Sequence, residues 1–395
     1  MSRSIVFGRS TDAGRLDYID GLRAVAVMSV MFFHARVHAP GIPLNHFFLE
    51  GTHGVDLFFV LSGFCLAMPT LQKLHRDGAM RFDLVGFAAK RFLRIVPPYA
   101  FAVLAFALAG TYAMSRGVAL PGGMLPHFDW IDAASELIFI DRSNQHINQS
   151  FWSLAIEFRW YFVFPLMLAL WVSRARAFIA LLFGVVFASE LTRATSTDLG
   201  VLPAFLLGIV AAHIRVHRHP LARFAPPFGF IAIFVALGLE NLHHFPVQTN
   251  PGWHLVAFAL VVAAGHEPWL QRVLSWRWLS SLGIASYSIY LVHEPIVSAT
   301  MSLLVPQLGF GASLPVAIVL GLSGGVAMWA LVERPLTHRS VVAAFVVSSS
   351  KRISGLLRLA GIPLEMRLTT ALPAIAPAHV AQVIPFSGRD QAAES

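Results

Sequence analysis

Cysteine occurs once in the 395 residues, at Cys65, and charged side chains make up only 13% of the chain. A single thiol rules out an intrachain disulfide framework and says nothing about compartment. It lies in an apolar run, where a small packed residue is expected. Ordinary soluble domains carry roughly 25% charged residues, so so low a charge content excludes that class. A Gly-rich phosphate loop and a Gly-x-Ser-x-Gly elbow are also missing. No single helix pairs histidine and carboxylate at metal-ligand spacing, so no metal is expected. His243-His244 and His217-Arg218-His219 fall in loops without partners nearby and read as solvated. The net charge of +8 is no nucleic-acid footprint, because Lys and Arg come in short clusters between apolar runs.

What the chain does have is apolar length. Hydrophobic residues reach 56% and the mean hydropathy is +0.66. The expectation is an all-α polytopic membrane protein. An apolar run of about 20 residues crosses the hydrocarbon. Ten such spans are predicted near 21–37, 51–69, 92–114, 151–172, 177–190, 199–214, 228–241, 253–266, 283–304 and 314–332. The first twenty residues are polar and no small-residue cleavage site follows the first run, so that run is read as a span. With the N-terminus inside, the inner segments hold clusters such as Arg174/Arg176, Arg215/Arg218/Arg223 and Arg272/Arg277, and the outer ones Arg116, Arg142 and Arg193. This asymmetry obeys the positive-inside rule and predicts both termini on the cytoplasmic side. Residues 1–340 form the membrane-embedded part. Residues 341–395 form a cytoplasmic tail with a basic patch at Lys351-Arg352 and a disordered Ala/Pro-rich end. The outer loop near 115–150, with Asp129-Trp130-Ile131-Asp132 and Asn144-Gln145-His146, is either a cover for an outward-facing site or a connector.

The first span carries Arg23 near its start and His34 near its end. Eleven steps of about 100° return to nearly the same face. At about 1.5 Å per residue the pair is roughly 16 Å apart along it. Ionisable groups inside a membrane mark functional sites; a snorkelling arginine and a hydrogen-bonded histidine are the simpler alternative. Depth then brings other groups level with His34. Asp56 stands early in span 2, as a partner for His34 or as a cap. Ser153, Glu157 and Tyr161 stand at i, i+4 and i+8 on one face of span 4. A histidine oriented by a carboxylate is the usual general base near neutral pH, whereas Glu157 alone also suits an interhelical hydrogen bond. On the inner side, Arg91 and Arg94 share a helical face. Two guanidinium groups together suit a phosphorylated ligand, or else topology and lipid headgroups. In span 9, Tyr287, His293 and Glu294 precede Pro295, which frees backbone groups; they line the cavity or pack a broken helix.

These stretches resemble the acyltransferase-3 family of integral membrane acyltransferases. Arg23, ten residues and His34 match its first-helix signature. Gly54-Val55-Asp56-Leu57-Phe58-Phe59-Val60-Leu61-Ser62-Gly63-Phe64 matches its second-helix motif, and Arg91-Phe92-Leu93-Arg94 its Arg-x-x-Arg motif. Trp152-Ser153-Leu154 with Glu157 and Tyr161, Ser286-Tyr287-Ser288 with Tyr290, His293 and Pro295, and Glu333-Arg334-Pro335 complete the order over roughly 17–340. The resemblance implies ten spans, acyl-CoA (acetyl-CoA above all) as donor, and a hydroxyl of a saccharide or lipid-linked envelope molecule as acceptor, in a bacterial cytoplasmic membrane. It implies that His34 is essential and that Arg23, Arg91 and Arg94 serve the donor. His34, held by Glu157 or Asp56, would then take the acceptor's proton, with Ser153, Tyr161, Tyr287 and His293 around the reacting groups. No counterpart of the family's frequent hydrolase-like domain is seen, so the chain is expected to act alone or hand its product on. A proton-coupled transporter or flippase of a polar or lipid-linked molecule is the rival reading. The lack of inverted repeats counts against it.

Overall fold

The structure, a computed structural model, describes residues 16–37, 48–80, 82–117, 130–140, 148–191, 197–243 and 250–359. Asp129, Asn144, Gln145, His146, His244 and the Ala/Pro-rich end lie outside the described residues. Every regular element among the described residues is helical. The order is α1 (Asp17–Val37), a 3₁₀ turn (Glu50–His53), α2 (Gly54–Asp77), α3 (Leu84–Ser115), α4 (Trp130–Leu137), α5 (Phe151–Ser173), α6 (Ala175–Leu191) and α7 (Thr197–Val216). A second 3₁₀ turn (Pro220–Phe224) leads to α8 (Ala225–His243), α9 (Pro251–His266), α10 (Pro268–Leu274), α11 (Arg277–Ile284) and α12 (Ser286–Met328). A π turn (Trp329–Glu333), α13 (Arg334–Leu336) and α14 (Arg339–Leu359) follow.

Among the described residues, seven helices are long and apolar enough to cross a membrane: Asp17–Val37, Glu50–Asp77, Leu84–Ser115, Phe151–Ser173, Thr197–Val216, Pro220–Glu240 and Ser286–Leu336. Ala175–Ser189 and Pro251–His266 are shorter apolar helices. Phe162, Leu166, Phe183, Phe187 and Leu331 are each more than three-fifths exposed. Apolar side chains in such numbers on an outer surface match hydrocarbon rather than water. α12 carries the two spans predicted last. Gly309 breaks its helical path, with φ 73° and ψ 168°, a conformation open to glycine.

Local chemistry explains where the rods begin and end. The Asp83 carboxylate accepts from the Gly86 amide at 2.8 Å and caps α3. α3 therefore begins at Leu84, ahead of the span predicted from residue 92, and Arg91 and Arg94 both lie within it. Asn250 accepts from the Gly252 amide at 2.9 Å, ahead of Pro251, and donates to the Ala236 carbonyl at 3.0 Å. One side chain thus starts α9 and ties it to α8. Gly78 closes α2 in the left-handed region, at φ 68°. The described part of the tail, up to residue 359, is helical, where the sequence suggested only a short apolar run. α14 lies against α3, with Phe345 stacked on Phe92 at 5.8 Å.

One loop histidine, His219, differs from its sequence reading. His219 is buried and its Nδ1 accepts from the Leu221 amide, so it caps the second 3₁₀ turn. The ring of His217 meets that of His75 edge to face at 4.8 Å and lies tilted against that of His213 at 4.2 Å. Partial desolvation and the neighbouring imidazoles depress its pKa. His217 is exposed, as the sequence suggested, whereas His219 is buried by its role in the turn.

The centre of the bundle is the crossing of α2 and α7, built on small residues. A Cβ at Gly63 would stand 2.1 Å from the Phe205 carbonyl oxygen, and one at Gly208 would stand 2.2 Å from that of Val60. Close backbone approach of this kind is how apolar helices gain packing where lipid offers no hydrophobic drive. Gly208→Leu should therefore abolish the monodisperse peak in detergent chromatography. Gly184→Leu, where a Cβ meets nothing within 4 Å, should leave it unchanged.

Candidate active site

Arg23 of α1 and Arg91 and Arg94 of α3 reach one cavity of about 90 Å³. Ser153, Glu157 and Tyr161 of α5 and Tyr287 of α12 face it as well. The i, i+4, i+8 spacing on α5 therefore presents a single polar stripe, as the helical period requires. Ser62 of α2 joins it. Glu157 Oε1 accepts from Ser62 Oγ and from the Tyr161 hydroxyl, both at 2.5 Å. Both donors fall on the one oxygen and fill its two lone pairs.

The three arginines are not equivalent. Arg94 pairs through Nη1 with Glu333 Oε1, and Ser288 Oγ donates to Glu333 Oε2 at 2.6 Å. Glu333 is fully buried and sits in the π turn, an irregularity that often re-aims a functional side chain. Glu333 therefore engages Arg94, not its neighbour Arg334. Arg91 stands over the rings of Phe87 and Tyr161, at 5.8 and 5.9 Å. Its Nε is buried without a hydrogen-bond partner among the described residues. The Tyr287 hydroxyl donates to the Ile95 carbonyl at 2.9 Å, which fixes α12 to α3.

From the cavity wall at Ser153 and Tyr290 runs a line of rings. Ser153 Oγ and the Tyr290 hydroxyl meet at 2.7 Å, and Ser153 donates to the Ser150 carbonyl at 3.2 Å. The Tyr290 hydroxyl is therefore the donor in the first contact. Tyr290 packs beside His293 at 5.4 Å, and His293 meets His34 edge to face at 5.2 Å. His293 is wholly buried, with Nδ1 2.8 Å from the Tyr290 carbonyl. A carbonyl only accepts, so Nδ1 carries the hydrogen and Nε2 holds the lone pair. Pro295 frees the Leu291 carbonyl, which accepts instead from Asn148 Nδ2 at 2.9 Å. The broken turn is thus satisfied by a side chain from just before α5.

Asp56 stands elsewhere. It is 2% exposed and caps no helix; the start of α2 has no side-chain cap. Its Oδ2 accepts from His53 Nδ1 at 2.6 Å, and its Oδ1 faces His254 Nε2 at 3.2 Å. Both oxygens are directed at these histidines, in place of the expected pairing with His34. The reason is the helical period: Val55, Phe58 and Phe59 turn to the cavity, and Asp56 turns toward α9.

A family model described as "Acyltransferase domain", of the acyltransferase-3 type, matches residues 16–333. The chain belongs to the acyltransferase-3 family. O-acetyltransferase OatA of Staphylococcus aureus is 26% identical over 330 residues, covering 71% of this chain and 50% of that protein. Peptidoglycan O-acetyltransferase OatA of Listeria monocytogenes is 24% identical over 328 residues, covering 72% and 50%. The putative peptidoglycan O-acetyltransferase YrhL of Bacillus subtilis is 26% identical over 323 residues, covering 71% and 48%. The chain spans about half the length of these relatives. No solved structure matches it significantly.

Within this acyltransferase-3 chain, motif residues far apart in sequence fall at one place. Arg23, Ser62, Arg91, Glu157 and Tyr287, from five of the motifs, share the cavity. Ser62 was visible in the second-helix motif without any signal of its role. Cys65, read as a packing residue, also lines the cavity. His53 and His254 carried no sequence signal toward Asp56.

Proposed function

We propose that this protein is a membrane O-acyltransferase. It moves an acetyl group from acetyl-CoA to a hydroxyl of a cell-envelope saccharide, free or lipid-linked, across the bacterial cytoplasmic membrane. The carrying observation is that Arg23, Arg91 and Arg94, from two helices, reach one cavity walled by Glu157 and Ser153. Three guanidinium groups suit the phosphates of a nucleotide donor. Roughly 16 Å of α1 separates Arg23 from His34, a span that a pantetheine arm can bridge. The relatives' names, which carry O-acetyl transfer and peptidoglycan, support a saccharide acceptor.

Ten spans follow if α12 counts as two at Gly309 and the two shorter apolar helices also cross. The cationic clusters then put both termini in the cytoplasm, with the arginines toward that side. In the reaction, His34 accepts the proton of the acceptor hydroxyl as its oxygen bonds the thioester carbonyl carbon. The carbon–sulfur bond breaks, and CoA leaves as thiolate. His293, with its lone-pair nitrogen directed away from Tyr290, holds the neighbouring imidazole in place. The Tyr290 hydroxyl and Ser153 lie between this pair and the arginines.

Sealed inverted vesicles given radiolabelled acetyl-CoA test the whole reading. Label should pass to a saccharide acceptor inside the vesicle. Movement of acceptor without acetyl-CoA would favour the flippase. For the donor end, Arg91→Ala should weaken acetyl-CoA binding by about 10- to 100-fold, as loss of one to two charged hydrogen bonds does. Unchanged binding by calorimetry returns Arg91 to a topological role.

A further inference from the structure

We propose that Glu50, His53 and Glu240 form a binding site for a divalent metal cation of the zinc type, at the end of the bundle where α2 begins. Glu50 and His53 stand three residues apart in the 3₁₀ turn, where side chains at i and i+3 eclipse. Glu240 comes from α8, held by Trp253 Nε1, which donates to its Oε1 at 2.5 Å. The Trp253 ring stacks on His53 at 4.4 Å, with 18° between the planes.

Asp56 sets the chemistry of His53. It accepts from Nδ1 at 2.6 Å, so the proton is on that nitrogen and Nε2 is turned to the two glutamates. A carboxylate behind the non-ligating nitrogen is the usual support of a metal-bound histidine. Nε2 lies 3.4 Å from Glu50 Oε2 and 3.4 Å from Glu240 Oε1. Charge-assisted N–H···O bonds run at about 2.7–2.9 Å, so both separations are long for a protonated imidazole. They match the edge of a tetrahedron, about 3.3–3.4 Å when ligands stand about 2.0–2.1 Å from a zinc ion. All three ligand atoms lie within 4.8 Å of one another.

The donor set, one imidazole nitrogen and two carboxylate oxygens, suits zinc with one position left open. His53 is nearly buried, whereas Glu50 and Glu240 are 33% and 29% exposed. A cation can therefore enter from that side. With Asp56 there are three carboxylates around one imidazole, and a divalent cation offsets their mutual repulsion. Behind Asp56, His254 is 1% exposed and faces its other oxygen. The site would join the start of α2 to α8, close to the His34 end of α1. Sequence spacing could not reveal it, because the third ligand lies 187 positions after His53.

The test uses the full chain in nanodiscs, stripped with chelator and then titrated with zinc(II) or cobalt(II). Plasma mass spectrometry should find about one equivalent per chain, and cobalt should give the visible absorption of a tetrahedral site. His53→Gln and Glu240→Gln should each lower the affinity at least tenfold. Asp56→Asn should lower it by about 10- to 100-fold through the orientation of His53. Glu50→Gln, at a partly exposed position, tests the site if the buried variants do not fold. Metal content in the wild type no higher than in these variants would overturn the proposal. His53 would then be an imidazolium held by carboxylates. The readout is bound cation, so it stands or falls apart from acyl transfer.

Discussion

Replacing His34 with alanine should reduce acetyl transfer by at least about 10²-fold, and by up to about 10⁴-fold, the span a general base contributes. The protein should remain folded. His34 is half-buried at the end of α1, and its ring touches His293 and Phe33 rather than filling the α2–α7 crossing. Acetyl-CoA binding should also survive, since the cavity holding Arg23, Arg91 and Arg94 does not include His34 among its walls. Three measurements on one preparation decide the matter: chromatographic profile, acetyl-CoA binding, and transfer of label. Turnover like the wild type would remove His34 from the chemistry. Loss of donor binding together with transfer would make it a structural residue of the donor site. A second variant, His293→Asn, separates chemistry from positioning. It keeps a group that donates from a position like Nδ1 but removes the ring that meets His34 edge to face. A positioning role predicts a lower kcat with an unchanged KM for acetyl-CoA.

Much of this was legible in the chain before any coordinates. Low charge and long apolar runs called for helices across a membrane, because exposed backbone polar groups have no partner in lipid. The helical period alone put Ser153, Glu157 and Tyr161 on one face, and they do share the cavity. Depth matching was less reliable. It brought Asp56 level with His34, but rotation about α2 turns Asp56 to His53 and His254. Depth is one coordinate, and a contact also needs azimuth, which depends on how neighbouring rods pack. Two further features had no local signal. The helix of α14 lies beyond the apolar spans and is held against α3 by Phe345 and Phe92. The burial of His219 arises from a turn that needs a cap, and a His-Arg-His string does not announce one.

Removing the carboxylate of Glu333 should cost more stability than any other single change near the site. The group is wholly buried and accepts from both Arg94 and Ser288. Glu333→Ala leaves a guanidinium without its counter-charge, and breaking a buried pair in this way costs about 3–5 kcal/mol. The side chain of Arg94 keeps 26% of its surface exposed, so the lower end of that range is expected. Thermal unfolding in detergent reads the effect directly. The double variant Arg94→Met, Glu333→Leu should recover most of the loss, because apolar residues of similar volume replace a buried ion pair at little cost. Ser288 would then turn its hydroxyl to the carbonyl one helical turn back. The recovered protein separates two roles of Arg94. If it serves the donor phosphates, the stable double variant binds acetyl-CoA about tenfold or more weakly, by the worth of a charged hydrogen bond. If the double variant binds as the wild type does, Arg94 exists to hold the π turn of α12 against α3, and Arg23 and Arg91 carry the donor alone.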